Sequence, residues 1–125
     1  MTTPVVAIVD DDAFVREAMG QLVRSFDFAV ELYASGRDLL GASAPRRIDC
    51  VITDLHMPEM NGFAICEQLR LRGLAVPVIL MTAFAKDGDE ARAKALGATC
   101  FLNKPFQDTD ILRCLEHALG LDRSV

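Results

Sequence analysis

Apolar and polar positions follow two rhythms along this chain. Five short apolar runs separate stretches in which apolar residues return every three or four positions, the spacing of one helix face. The first run, Val5-Val6-Ala7-Ile8-Val9, is continuous, as expected of a central strand covered on both sides. Over residues 13–26, Val15, Ala18, Met19, Leu22 and Phe26 form an apolar stripe, with Arg16, Glu17, Gln21 and Arg24 on the other side. The pattern then predicts strand 2 over 29–33 and a short helix 2, capped by Ser35 and running to 40. A loop over 41–47 leads to strand 3 at 50–53, and helix 3 starts at Asn61-Gly62 and reaches 72. Pro77 opens strand 4, which covers 78–81 and ends at Thr82. Helix 4 is expected over 87–97, with Gly97 suited to a left-handed helix end. Strand 5 follows over 99–103 and helix 5 over 107–119, the latter closed by Gly120. Ala91, Ala95, Leu96 and Leu115 are read as core residues of the last two helices. Strands alternating with helices in this way predict an α/β domain built on a parallel sheet.

Composition narrows the picture. The chain has 125 residues, 51% hydrophobic and 25% charged, which suits one domain with a self-sufficient core. Residues 1–120 are expected to form that domain, and 121–125 a tail or the start of a linker. Thirteen basic against 18 acidic residues give a net charge of −5, and the largest basic cluster is the pair Arg46-Arg47. That balance argues against the domain itself gripping nucleic acid. No run approaches the length of a membrane span, and the N-terminus lacks a signal-peptide layout, so a cytoplasmic location is expected. Cys50, Cys66, Cys100 and Cys114 show no C-x-x-C spacing and fall in apolar stretches, which predicts buried free thiols.

Polar residues collect at the carboxyl ends of the predicted strands: Asp10-Asp11 after strand 1, Asp54 after strand 3, Thr82 after strand 4 and Lys104 after strand 5. Ligands of open parallel sheets bind outside that edge. If strands 1 and 3 are neighbours, the three carboxylates share a pocket, and either some stay protonated or a cation sits among them. A hard divalent ion such as Mg²⁺ matches oxygen ligands and leaves room for a phosphate oxygen. Lys104 offers a matching positive charge and Thr82 a hydroxyl donor, a set suited to phosphoryl transfer onto a carboxylate. Asp12 directly precedes the first helical stripe and is read as its N-cap rather than as a ligand. No acidic partner orients His56, which is placed on the rim, and His117 is placed on exposed helix surface.

These residues, with their neighbours, resemble the receiver domains of bacterial two-component response regulators over nearly the whole chain. Ile8-Val9-Asp10-Asp11-Asp12 is similar to the family's acidic pair. The run Asp54-Leu-His-Met57-Pro58-Glu-Met60-Asn-Gly62 is similar to its D-x-x-M-P-x-M-x-G motif, and Met81-Thr82-Ala83 and Lys104-Pro105-Phe106 complete the set. The nearest likeness is to the FixJ-like branch, whose receivers usually precede a helix-turn-helix DNA-binding module. The resemblance implies a doubly wound, CheY-like five-stranded parallel sheet in order 2-1-3-4-5 with five helices. It implies that Asp54 takes a phosphoryl group from a histidine kinase or phosphotransfer protein and that the chain catalyses only its own phosphorylation and dephosphorylation. Mg²⁺ would be held by Asp11, Asp54 and the main-chain carbonyl of His56, with Asp10 acting directly or through water. Lys104 and Thr82 would contact phosphoryl oxygens, Phe101 would change rotamer with Thr82, and the Lys104-Pro105 peptide would be cis. Helix 4, strand 5 and helix 5 would form the face for a partner or homodimer. Position 56 departs from the family's common Asn, and a His there bears on phosphoryl lifetime.

Two rivals come from other classes. A haloacid-dehalogenase phosphatase also places aspartates after strand 1, but Phe14 stands where that family has Thr or Val, and there is no room for a cap domain. A phosphorylation-independent interaction module usually has a degraded pocket, and here no pocket residue is missing.

Overall fold

The computed structural model describes residues 3–41 and 47–121, so residues 122–125 of the expected 121–125 tail and most of the predicted 41–47 loop, including Arg46, lie outside the described residues. Among them, five strands and five helices alternate. They are β1 (Val5–Val9), α1 (Ala13–Ser25), β2 (Ala29–Tyr33), α2 (Gly36–Gly41), β3 (Cys50–Asp54), α3 (Gly62–Leu71), β4 (Val78–Thr82), α4 (Asp89–Ala95), β5 (Cys100–Asn103) and α5 (Asp108–Ala118). All strand pairs are parallel, and the sheet order is β2-β1-β3-β4-β5. The expected fold class and strand order are therefore those observed.

Alternation along each strand sends side chains into two apolar layers. Ala7, Val9, Val51, Val78 and Leu80 face one cluster with α2 and α3 residues such as Leu39, Ile65 and Leu69. Val6, Ile8, Ile52, Ile79 and Met81 face the other, with Met19 and Val23 of α1 and Ile111 and Leu115 of α5. Both faces of the central strands are covered, which is why their sequences read as unbroken apolar runs.

Local chemistry sets the helix ends. The Asp12 carboxylate accepts from the backbone N–H groups of Phe14 and Val15 at 2.9 and 3.2 Å, capping α1 as its position suggested. Asn61 caps α3 through Ala64 N, and Gln107 and Asp110 form a reciprocal capping box on α5. Helix 4 is shorter than its pattern predicted. Gly88 has φ +89°, so the helix cannot begin before it, and Gly97 at φ +88° follows its end.

Several placements differ from expectation. Ala91 and Ala95 are exposed rather than core, because α4 packs inward through Ala93, at 1% exposure, and residues two positions away point about 200° round the helix. Leu96 is half-buried, while Leu115 is in the core as expected. Cys100 is only half-buried, because β5 is an outer strand. Arg16, assigned to the solvent side of α1, is half-buried against the carboxyl end of β1.

Candidate functional site

Strand register assembles the acidic residues. Val9 pairs with Thr53, so the next residues, Asp10 and Asp54, stand level on adjacent strand ends and share a side of the sheet. Asp54 pairs with Met81, and Thr82 with Asn103, which leaves Lys104 further along than Asp54. Its long side chain reaches back, placing Nζ 3.8 Å from Asp54 Oδ2. The Lys104 N–H donates to the Thr82 carbonyl at 2.8 Å, which ties the two loops together, and the Lys104–Pro105 peptide is cis.

Asp10, Asp11 and Asp54 each present a ligand oxygen, and the three lie within 4.8 Å of one another, the one such group among the described residues. Asp10 is 1% exposed. Its Oδ1 accepts from Asp12 N at 2.9 Å, whereas its Oδ2 is buried with no hydrogen-bond partner. Burial pushes the Asp10 carboxyl above the ordinary carboxylate range, with smaller upward pushes from the Asp54 and Asp11 charges. The Asp12 N–H and Lys104 pull the other way. An unpartnered buried carboxylate oxygen facing two more carboxylates is the donor set a hard divalent cation satisfies.

The remaining residues frame this cluster. Thr82 is 0% exposed, and its hydroxyl oxygen accepts from Phe84 N at 3.2 Å, which leaves the O–H to donate elsewhere. Leu80 pairs with Phe101, and Thr82 lies two residues on from Leu80, so Thr82 and Phe101 share one face of the sheet. Phe101 is partly buried against the cluster containing Leu80 and Ala93. The exposed His56 ring reaches across the pocket mouth, with Nε2 3.4 Å from the Phe84 carbonyl, and its backbone N–H approaches Asp54 Oδ1 at 3.4 Å. His117 is exposed on α5, away from the acidic residues in sequence and element.

One contributor was not singled out from sequence. Arg16 donates from a guanidinium nitrogen to the Asp10 main-chain carbonyl at 2.6 Å, bracing the strand end that carries Asp10. Its position one turn past the Asp12 cap was the available signal. Gly62, which closes the motif that begins at Asp54, has a steric role: a Cβ there would lie 2.6 Å from Leu80 Cδ2 and 3.1 Å from the Asp54 carbonyl oxygen, so only glycine lets α3 close over the end of β3.

A profile of the response regulator receiver domain matches residues 6–116. FixJ of Azorhizobium caulinodans, a transcriptional regulatory protein, is 36% identical over 92% of this chain and 54% of FixJ. The response regulator TodT of Pseudomonas putida is 34% identical over 94% of this chain and 52% of its own length. The chain thus spans about half the length of the curated relatives it matches. Among solved structures, FixJ-N superposes with a TM-score of 0.88 at 30% identity and full coverage of both chains. The response regulator StyR gives 0.87 at 35% identity, covering 96% of this chain and 61% of StyR.

Proposed function

The chain belongs to the response regulator receiver family, and from that premise we propose that Asp54 is its phosphoryl acceptor. The donor is a histidine kinase or a phosphotransfer protein, the established donors of this family. An oxygen of Asp54 attacks the phosphorus, the bond to the donor's histidine nitrogen breaks, and an acyl phosphate forms on Asp54. The observation that carries this reading is the orphaned Asp10 Oδ2 beside Asp11 and Asp54, with Lys104 Nζ approaching the acceptor carboxylate.

Asp11, Asp54 and the His56 main-chain carbonyl would hold Mg²⁺, with Asp10 bound directly or through water. The ion supplies charge neutralisation for phosphoryl oxygens approaching a carboxylate. The chain's own groups do the rest. Lys104 is already drawn to Asp54 and stays to pair with a phosphoryl oxygen, and the free O–H of Thr82 turns to donate to another. Thr82 and Phe101 lie on one sheet face, so movement of Thr82 towards Asp54 opens room for Phe101 to swing inward. The surface of α4, β5 and α5 changes with it, for a partner or a second copy. The exposed His56 ring, standing where Asn is common, modulates water access to the acyl phosphate.

The receiver spans residues 1–120, with 121–125 as tail or linker. Relatives about twice as long include transcriptional regulators, so the output in a longer protein is transcription through an attached DNA-binding module. The domain itself, with net charge −5, contacts no nucleic acid. Among the described residues no helix is long and apolar enough to cross a membrane, and we place the chain in the cytoplasm with its kinase.

Intact mass spectrometry after Mg²⁺ and acetyl phosphate tests this reading, with Asp54→Asn and Asp10→Asn alongside. One added phosphoryl group that needs Mg²⁺ and vanishes in Asp54→Asn is expected. No adduct under conditions that label another receiver overturns it, as does turnover lost in Asp10→Asn but kept in Asp54→Asn, which is the phosphatase outcome.

A further inference from the structure

Just beyond the acidic cluster, the chain carries a chemically reactive peptide step, Asn61-Gly62. An asparagine followed by glycine is open to attack by the glycine nitrogen on the side-chain amide, because glycine has no side chain to block the approach and leaves the backbone free to turn. The chain's other asparagine, Asn103, precedes Lys104, whose Cβ hinders the same attack. Asn61 is exposed, so water reaches it, yet both reacting groups are occupied. Its Oδ1 accepts from Ala64 N at 2.9 Å, which holds the side chain as the cap of α3. The Gly62 N–H, whose nitrogen would attack, donates to the Leu55 carbonyl at 2.9 Å. The backbone at Gly62 also has little slack, since a Cβ there would lie 3.1 Å from Leu55 Cα. The first turn of α3 thus separates a reactive step from its product.

We propose that Asn61-Gly62 is a deamidation site gated by the first turn of α3, closed while the cap is made and open when that turn frays. In the open state hydroxide takes the Gly62 amide proton and the nitrogen attacks Asn61 Cγ. The Cγ–Nδ2 bond breaks, and ammonia leaves with a proton returned by water, giving a succinimide. Water then opens the ring on one of its two sides. Cleavage at Cγ gives aspartate, which caps a helix as well as asparagine does. Cleavage at the main-chain carbonyl gives isoaspartate, which routes the main chain through the former side chain and lengthens it by one carbon. In total one amide and one water give one carboxylate and one ammonium ion. The gate is independent of the phosphoryl chemistry. Its consequence rests on the proposed function: the added carbon falls between the 55–61 loop, which carries the His56 carbonyl, and Gly62 packed on the Asp54 main chain. Isoaspartate therefore displaces the surroundings of the acceptor, whereas aspartate leaves them in place.

The test ages the folded chain at mildly alkaline pH beside the same chain in guanidinium chloride, and reads intact mass and a peptide map. The mass gain of an amide turned acid is expected in both, on the peptide containing Asn61. It is expected to be roughly 10- to 100-fold slower in the folded chain, since the Asn61 and Gly62 hydrogen bonds must open together. Asn61→Ser keeps a capping oxygen and loses the mass gain. Asp87-Gly88 releases no ammonia when it isomerises, so it does not enter the mass. Aged chains are then treated with Mg²⁺ and acetyl phosphate, and labelled and unlabelled molecules are separated on a phosphate-affinity gel. Isoaspartate at position 61 is expected in the unlabelled fraction, and aspartate in both. Equal rates in folded and unfolded chains, or ammonia lost from Asn103 instead, overturns the gate. Isoaspartate shared evenly between the fractions overturns its consequence. A fresh chain that takes no label sinks the phosphoryl reading and leaves the gate to be judged by the mass gain alone.

Discussion

At the scale of single residues, Asp10 shows how burial and charge compete. Its carboxyl is raised by burial first, so the folded state favours the protonated form more than the unfolded chain does. Stability linked to Asp10 is thus fully present below the ordinary carboxylate range and is lost as pH rises through its folded value. Without metal, Asp10→Asn is expected to raise stability at pH 7 by about 1–3 kcal/mol, the usual cost of an unsatisfied buried polar group. Melting curves between pH 7 and 4 check this: the variant's advantage shrinks as the pH falls, and a constant difference contradicts it. Lys104 acts in the other direction. On the proposed function Lys104→Ala removes the charge-assisted partner of the phosphoryl group, and the labelling rate with acetyl phosphate is expected to fall roughly 10- to 100-fold. The acidic residues, Thr82 and Lys104 were legible in the sequence because each sits at a strand end, where a pattern change marks it. The guanidinium of Arg16 on the Asp10 carbonyl was not, since a charged residue on a helix reads as solvent-facing until its neighbour is known.

Elements position these residues through their ends. Asp12 closes the start of α1 by accepting two backbone N–H groups, and Asp12→Ala is expected to cost about 1 kcal/mol, read by urea denaturation. Gly62 starts α3 against the backbone of Asp54 and Leu55. Gly62→Ala forces a contact of 2.6 Å on Leu80 and 3.1 Å on main-chain atoms that cannot swing away. A loss of about 1–3 kcal/mol follows from such overpacking, together with slower labelling of the displaced Asp54. A stable variant labelled at the normal rate contradicts that role. Helix 4 shows the limit of pattern reading. Its alanines suit either face, and Gly88 rather than hydrophobic spacing decides where it begins. Which side is buried follows from Ala93 meeting the layer that contains Leu80, a contact with no local signal.

The whole molecule joins two covered layers and one open sheet edge, and its stability responds at both. A divalent ion that binds only the folded aspartate cluster stabilises by mass action, about 1.4 kcal/mol at ten times its Kd. Mg²⁺ titration is therefore expected to raise the melting temperature by roughly 4–8 °C, and Asp10→Asn to blunt the rise. At high pH the buried thiols set the limit. Cys50 and Cys66 are pushed up to about 12 and about 11 by burial, above their ordinary value of 9.0. Their contribution is complete below pH 9 and is lost as pH climbs through the folded values, so melting temperature is expected to decline from about pH 9 upward. By itself the sequence determined the order and type of the elements, the doubly covered central strands and the strand-end residues that make up the candidate site. These depend on a period and a chain neighbourhood that every few residues restate. Only the tertiary structure decided that Val9 pairs with Thr53 to bring Asp10 level with Asp54, that β5 is an outer strand with Cys100 half-buried, and that Ala91 and Ala95 face outward. Those facts depend on contacts between segments far apart in the chain, and such contacts are selected by the packing of all layers together.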